Sequence, residues 1–290
     1  MPTTETVPTI KNVFIDGDIL AYVCSSAVQK DIDWGDGLWT CHAYLNEALD
    51  YFTQCETEIF NSIRLKCDFY DDVNILYCFS DRNNFRKLIY PDYKANRRSN
   101  RKPTCYYDLV AEIKKIRKSM TLENLEGDDV ISINVTATQE PSLIVSKDKD
   151  FKTVPMAYFY DINKDSIVYY DTETAYRNLL IQTLTGDTAD NYKGCPKVGK
   201  VSAERIINSE PSILKLWELT EITFLSKGAT ENDAIRNFSL AYLLQDRDYD
   251  LEKKEWKHPE KNYYANPSYA DWAYEREFKH LFAKDSLNDK

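Results

Sequence analysis

The chain has 290 residues, 43% hydrophobic and 29% charged, with a formal net charge of −10; this is an ordinary globular composition, able to bury a large core in one domain or in a core plus a smaller module. No apolar run approaches the roughly 18 residues of a membrane helix, and residues 1–11 lack a charged-then-apolar leader, so a cytoplasmic protein without a membrane partner is expected. Seven cysteines with no Cys-x-x-Cys pair, and only three histidines, argue for a reducing compartment and against a thiolate zinc site.

In chain order, Asn12 to Ile15 reads as a short apolar strand that ends at Asp16, and Asp18 caps a helix through Ile19, Leu20, Tyr22 and Val23. Lys30 to Thr40, with Gly35 and Gly37, reads as a loop. Leu45, Leu49, Phe52, Ile59 and Ile63 recur at helical steps and predict a long amphipathic helix. Val73 to Phe79 is a second strand, delivering Ser80 and Asp81 at its carboxyl end. A helix with Leu109, Ile113 and Ile116 follows, then a helical run from Asp129 to Thr138. Ser142 to Val145 is a third strand, and Ala157 to Tyr160 and Ser166 to Tyr170 supply one or two more. Strands alternating with helices imply an α/β fold with a mostly parallel sheet covered on both faces. A second module is expected from about Leu180, turn-rich from Thr185 and helical from about Val201, with another helix over Thr230 to Gln245.

Acidic residues punctuate this pattern. Glu126, Asp128 and Asp129 open one helical run; Asp16, Asp81, Asp148 and Asp150 follow apolar strands; Asp187 and Asp190 flank a turn. Ligands in parallel sheets sit at the carboxyl ends of the strands. Each group read alone is equally a helix or turn cap, but their coincidence at strand ends points to one pocket for divalent cations. Oxygen-only ligands favour Mg²⁺ or Mn²⁺ over Zn²⁺. Nine acids exceed the needs of one ion, and two ions about 3.5 to 4 Å apart suit in-line hydrolysis of a phosphodiester.

From Arg82 to Lys102 the chain carries eight Lys or Arg against the single Asp92, a basic stretch in an acidic protein and a footprint for nucleic acid. Residues 194–200, Gly-Cys-Pro-Lys-Val-Gly-Lys, nearly spell a phosphate-binding loop. The match breaks at Val201, where that motif needs Ser or Thr, and an acidic turn precedes it in place of a strand.

Taken together, FIDGD, FSDRNNFRK, YPDYKANR, LEGDD, SKDKDF and TGDTADNYKGCPKVG resemble the 5′ nuclease (flap endonuclease) superfamily, and most nearly its bacteriophage 5′ to 3′ exonucleases of podovirus type. The resemblance runs in register from about Val13 to Ile207, with a weaker echo after Thr230. It implies a PIN-like nuclease core over residues 1–180 and a helix-three turn-helix with a helical C-terminal region over residues 181–290. By resemblance Asp16, Asp81, Glu126 and Asp128 belong to a first divalent metal, with Asp129 close by. Asp148, Asp150, Asp187 and Asp190 belong to a second, or support it through water. A helical arch is implied at about residues 83–103. In it Lys94 contacts the scissile phosphate, Arg86 assists, Tyr93 stacks on a base, and Arg97, Arg98 and Arg101 line the strand.

The turn-helix, implied to grip duplex backbone around Gly194 and Gly199 and often to hold a monovalent cation such as K⁺, departs from the family's Gly-x-x-Gly-x-Gly by carrying Lys197 at the middle glycine. Lys193, Lys197 and Lys200 read as phosphate contacts, which position a duplex without reading its sequence. The implied activity is metal-dependent hydrolysis of DNA at 5′ ends, nicks or flaps, with RNA primers in hybrids as further substrates and replication proteins as partners, and with Lys94, Arg86 and Asp128 in the catalytic roles. A PIN-type ribonuclease and a catalytically silent structure-specific DNA-binding protein are the alternatives.

Overall fold

Val13, Phe14 and Ile15 are all buried, and they face opposite ways. This is the signature of a central strand covered on both sides. In the computed structural model, which describes residues 7–97, 101–253 and 255–256, this strand is β1 (Ile10–Asp16), and it leads directly into α1 (Gly17–Val28). A hairpin of β2 (Lys30–Asp33) and β3 (Trp39–His42) precedes α2 (Leu45–Arg64) and β4 (Phe69–Cys78). Next come α3 (Arg86–Ile89), a 3-10 turn at Ala95–Arg97, α4 (Tyr106–Ile116), β5 (Ser119–Met120) and α5 (Gly127–Thr136). β6 (Ser142–Ser146), a 3-10 turn at Lys149–Thr153, β7 (Ala157–Asp161), β8 (Ser166–Tyr170) and α6 (Thr172–Thr185) follow. The remainder is a short hairpin of β9 (Gly186–Asp187) and β10 (Tyr192–Lys193), then α7 (Lys200–Ser209), α8 (Ile213–Ser226), α9 (Glu231–Ala241), β11 (Tyr249–Asp250) and β12 (Glu255–Trp256).

Six strands form one sheet in the order β5-β4-β1-β6-β7-β8, parallel except for β8, which returns antiparallel to β7. From β1 the chain moves to β4 on one side, and it later returns to β6 on the other. The crevice between the ends of β1 and β6 is therefore the switch point where such sheets bind ligands. Val13, Ile15, Leu143 and Val145 pack with Leu20 and Cys24 of α1, Phe52 of α2 and Leu109 of α4. Phe14, Ile144 and Phe159 face the other way, into a cluster with Val130 of α5, Leu180 of α6, Phe224 of α8 and Phe238 of α9. The expected doubly covered parallel sheet is present.

Four local expectations change. Residues 30–40 are a hairpin and not an open loop, because Asp33 pairs with Trp39 and Trp34 N–H donates to Leu38 O at 2.9 Å. The division at residue 180 falls inside α6, whose Leu179, Leu180 and Leu184 share one apolar cluster with the sheet, so the second module starts within a helix packed on the first. Within residues 83–103, where a helical arch was expected, the described helical elements are α3 and the 3-10 turn, and residues 98–100 lie outside the described residues. The helix begun at Thr230 stops at Ala241, since the carbonyls of Leu240 and Tyr242 are taken by Arg86.

Arg86 is 1% exposed, and Asp129 is fully buried. The two form a bidentate pair at 2.7 and 2.8 Å. The guanidinium also donates to Leu240 O at 3.0 Å and to Tyr242 O at 2.6 Å, and Asp129 accepts from Leu244 N–H at 3.1 Å. Removing one partner of such a pair strands a buried charge and costs about 3–5 kcal/mol. Arg86→Met is expected to lose stability of that order in urea unfolding, and Arg86→Met/Asp129→Leu to recover much of it. Equal stability of Arg86→Met and wild type would show that the pair does not hold the fold.

Candidate metal and nucleic-acid site

The acidic residues converge because several elements end at one place. Asp16 is the last residue of β1 and caps α1, accepting from Ile19 N–H at 3.0 Å. Across the crevice Ser146, ending β6, donates its hydroxyl to Asp16 at 2.7 Å. Glu126 and Asp129 form a reciprocal capping box on α5, which leaves Asp128 in the first turn. Asp148 caps the 3-10 turn after β6, accepting from Asp150 N–H at 2.9 Å. Asp187 and Asp190 lie on the β9–β10 hairpin, where Asp187 accepts from Ala189 N–H at 2.7 Å.

Crowding shows in the proton affinities. Burial pushes Asp16 up to about 7, and the charges of Asp18 and Asp148 add to the rise. Asp128 is held well above the carboxylate range by burial and by Asp16, Asp148 and Glu126. Asp150 is pushed up to about 6 by burial and then by Asp148. Glu126 goes the other way, down to about 2: burial alone would raise it, but Lys94 and Arg86 outweigh that. Asp187 is lowered because Lys149, at 2.6 Å, likewise outweighs burial.

The chain's own cations sit among these acids. The Lys94 ammonium contacts Glu126 and lies 3.8 Å from Asp190; Arg97 reaches Asp190 at 2.7 Å. Among the described residues no three His, Cys, Asp or Glu side chains are closed into a ready metal cage. The donor set nevertheless fits divalent cations: Asp16, Glu126, Asp128, Asp148, Asp150 and Asp190 act on one another through space, are all oxygen donors, and already hold one ammonium.

Three assignments made from the sequence change. Asp129 is no metal ligand here: Arg86, Leu244 N–H and Glu126 N–H occupy both its oxygens. Arg86 is correspondingly buried in that pair and does not face a phosphate. Tyr93 is 2% exposed, with its hydroxyl 3.0 Å from Glu126 and 2.8 Å from Asp190, so its ring cannot lie open for a base to stack upon. Asp81 is half-buried and accepts from Asn124 N–H at 2.9 Å, bracing the turn before α5. Arg101 is exposed, and Arg98 lies outside the described residues.

At the turn before α7, Gly194 faces the protein. A Cβ there would run into the carbonyls of Leu184 and Thr185, and one on Gly186 would meet Gly194 itself. This is a backbone crossing, tied by Cys195 N–H to Leu184 O at 2.7 Å. Gly199, the N-cap of α7, has open space where its Cβ would be, which leaves room for an approaching phosphate at a helix N-terminus. Lys193, Lys197 and Lys200 are exposed around it. Lys197 adopts φ +61°, a conformation glycine takes freely and other residues at some cost. The middle position of the turn, glycine in the family pattern, carries the exposed Lys197, and Gly194 faces the protein.

Sequence reading missed Ser146, Lys149 and Tyr106. Ser146 and Lys149 stood within the Ser-Lys-Asp-Lys-Asp string that flagged the acids. Tyr106, whose hydroxyl donates to Asp18 at 2.7 Å, carried no local signal.

The raised acids set a pH dependence. Asp16 and Asp150 bind protons more tightly folded than unfolded, so their penalty is absent below about pH 4 and grows as pH rises through about 6 to 7. Glu126, lowered, contributes constant stability across that range. Metal-free protein is therefore expected to lose stability from pH 5 to 7.5, and Mg²⁺ to raise its melting temperature more at pH 7.5 than at pH 5. A Mg²⁺ effect equal at both would show that these acids do not take up the ion. Separately, Gly194→Ala is expected to lower the melting temperature sharply while Gly199→Ala does not; equal effects would contradict the backbone crossing.

Residues 14–178 match the 5′-3′ exonuclease, N-terminal resolvase-like domain. The chain is 29% identical to an exodeoxyribonuclease of Enterobacteria phage T3, over 83% of this chain and 90% of that protein. It is 28% identical to an exonuclease of Escherichia phage T7, again over 83% and 90%. In fold it is similar to a bacteriophage T5 protein crystallised with metal ions, with a TM-score of 0.57 at 14% identity, covering 80% of this chain and 89% of that one. The matched domain spans more than half of the chain and runs from the end of β1, with Asp16, through β4, α5 and β6, the elements that carry most of the acidic nest, so the chain belongs to the 5′–3′ exonuclease family, in its phage type, and is a nuclease.

Proposed function

We propose that the chain hydrolyses phosphodiester bonds of DNA in a divalent-metal-dependent reaction at 5′ ends, nicks or flaps, as a 5′ to 3′ exonuclease and flap endonuclease. The observation that carries this reading is the nest of mutually repelling carboxylates at the ends of β1 and β6 and the start of α5, with Asp16 raised to about 7. Such repulsion is costly unless cations or protons relieve it, and Lys94 and Lys149 already relieve part of it. Asp16, Glu126, Asp128, Asp148, Asp150, Asp187 and Asp190 would hold two Mg²⁺ or Mn²⁺ ions, with Asp81 in support from the end of β4. Such ions supply Lewis acidity toward the phosphate and lower the pKa of the attacking water.

The chain's own residues do the rest. Lys94 is held between Glu126 and Asp190, and once those acids are neutralised its ammonium is free to take a phosphate oxygen. Arg97, half-exposed beside Asp190, turns to the same phosphate, taking the role first read onto Arg86. Arg86 and Asp129 act as positioning residues that fix Glu126. Lys193, Lys197, Gly199 and Lys200 grip the duplex backbone, and Arg101 lines the strand's approach. We assign the metal chemistry to residues 1–180, joined by Asp187 and Asp190 from the β9–β10 hairpin, and the duplex grip to the remainder of residues 181–290. The same site suits RNA primers in hybrids beside replication proteins, in the cytoplasm of a host cell; no described helix is long and apolar enough to cross a membrane.

Duplexes labelled at the 5′ or the 3′ end are the test. Wild type with Mg²⁺ is expected to release short 5′-labelled products, EDTA to abolish release, and Asp128→Ala to slow it on the order of a thousandfold, the rate equivalent of several kcal/mol of lost charge stabilisation. Undiminished cutting by Asp128→Ala would move the chemistry elsewhere, and a wild type that binds junctions without cutting would favour a silent DNA-binding protein.

A further inference from the structure

We propose that Lys102 is a second phosphate-holding cation of this site, serving the Asp16–Asp18 side of the carboxylates as Lys94 serves the Glu126–Asp190 side; the proposal rests on the nuclease reading above. Arg86 is paired with Asp129, Lys94 with Glu126, Arg97 with Asp190 and Lys149 with Asp187. Lys102 is different: among the described residues it makes no ion pair, and it is held by aromatic faces. Its ammonium lies 4.2 Å from the centroid of the Tyr106 ring and 5.5 Å from that of Tyr22. A ring quadrupole fixes a cation without neutralising it, so the full charge stays available to an incoming anion.

That platform is rigid. Tyr106 is 5% exposed, its hydroxyl donates to Asp18 at 2.7 Å, and the second oxygen of Asp18 accepts from Ser80 N–H at 2.7 Å. Tyr22 meets Tyr106 edge to face, with centroids 6.5 Å apart. Behind Lys102 the backbone is pinned by buried Pro103 and by Thr104, whose N–H and hydroxyl both donate to Gln29 at 2.8 and 3.0 Å. The head group is therefore aimed while the residue stays exposed. It also lies within the field of the site: partial burial lowers its proton affinity, Asp18 and Asp16 favour its charge, and Arg97 and Lys94 oppose it. An unpaired cation held beside two others and beside the acids is suited to the extra negative charge that develops on a phosphodiester under attack, and to the charge of its neighbour. A lysine serving only solubility needs neither the platform nor the place.

Lys102→Met keeps the aliphatic stem over the rings and removes the charge, whereas Lys102→Arg keeps it. The measurements are single-turnover cleavage of a 5′-labelled duplex with Mg²⁺, binding of the same duplex across a salt series with Ca²⁺ in place of Mg²⁺, and thermal unfolding. Lys102→Met is expected to cut about tenfold more slowly or worse, and to bind with a salt slope shallower by about 0.9, one phosphate contact. Its melting temperature should match wild type, and Lys102→Arg should recover most of the rate. A wild type that cuts, with Lys102→Met indistinguishable in rate and slope, overturns this assignment alone. A loss that Lys102→Arg shares in full makes the residue's role steric and overturns it too. A wild type that neither cuts nor binds overturns the nuclease reading and this assignment with it.

Discussion

The buried pair of Arg86 and Asp129 is the constraint on which the site's shape depends. A guanidinium with almost no exposure must have its donors satisfied, and here they reach Asp129, Leu240 and Tyr242. Those contacts gather α3, the start of α5 and the end of α9 at one point. With α3 tied down, the chain that follows carries Tyr93 and Lys94 onto Glu126 and Asp190. The capping box then fixes Glu126 one residue ahead of α5 and Asp128 one residue inside it. Charge burial of this kind contributes little net stability when complete but is costly to break. It specifies an arrangement more than it strengthens one.

Around that anchor the acids are left in tension. Asp16, Asp128 and Asp150 are all raised by burial and by each other. Lys94 and Lys149 relieve part of the repulsion from opposite ends, one at Glu126 and the other at Asp187. The protein thus fills its own site with ammonium groups on flexible stems, which can withdraw when stronger cations arrive. Tyr93, with one proton and two acidic partners, links the halves of the nest through a hydroxyl that can serve Glu126 or Asp190.

The sheet and the acids were legible because each acid stands directly after an apolar run, and the period of such runs is a local property. Asp16 after Val13–Ile15 and Ser146 after Leu143–Val145 need no knowledge of partners. Arg86 was misread for the opposite reason: its partners lie 43, 154 and 156 residues away, and nothing nearby marks an arginine for burial. Tyr93 failed the same way, through Asp190, 97 residues on. The hairpin at residues 30–42 was hidden by composition, since its strands bury little, β2 carries Asp31 and Asp33, and the connecting turn carries Asp36. Gly194 was read as part of a grip on duplex backbone, but the backbone that lies against it is the carboxyl end of α6.

That crossing has a mechanical consequence. Where Gly186 and Gly194 meet, no side chain lies between the two backbones to bend, swap rotamer or compress. The hairpin bearing Asp187 and Asp190 and the turn leading to Gly199 are thus joined by the least compliant contact a protein can make. On the reading given above, one side of this joint cuts and the other grips. The joint then behaves as a gauge block, setting how far from the held duplex the strand is severed by backbone thickness, and passing any shift of the grip undamped to the acids.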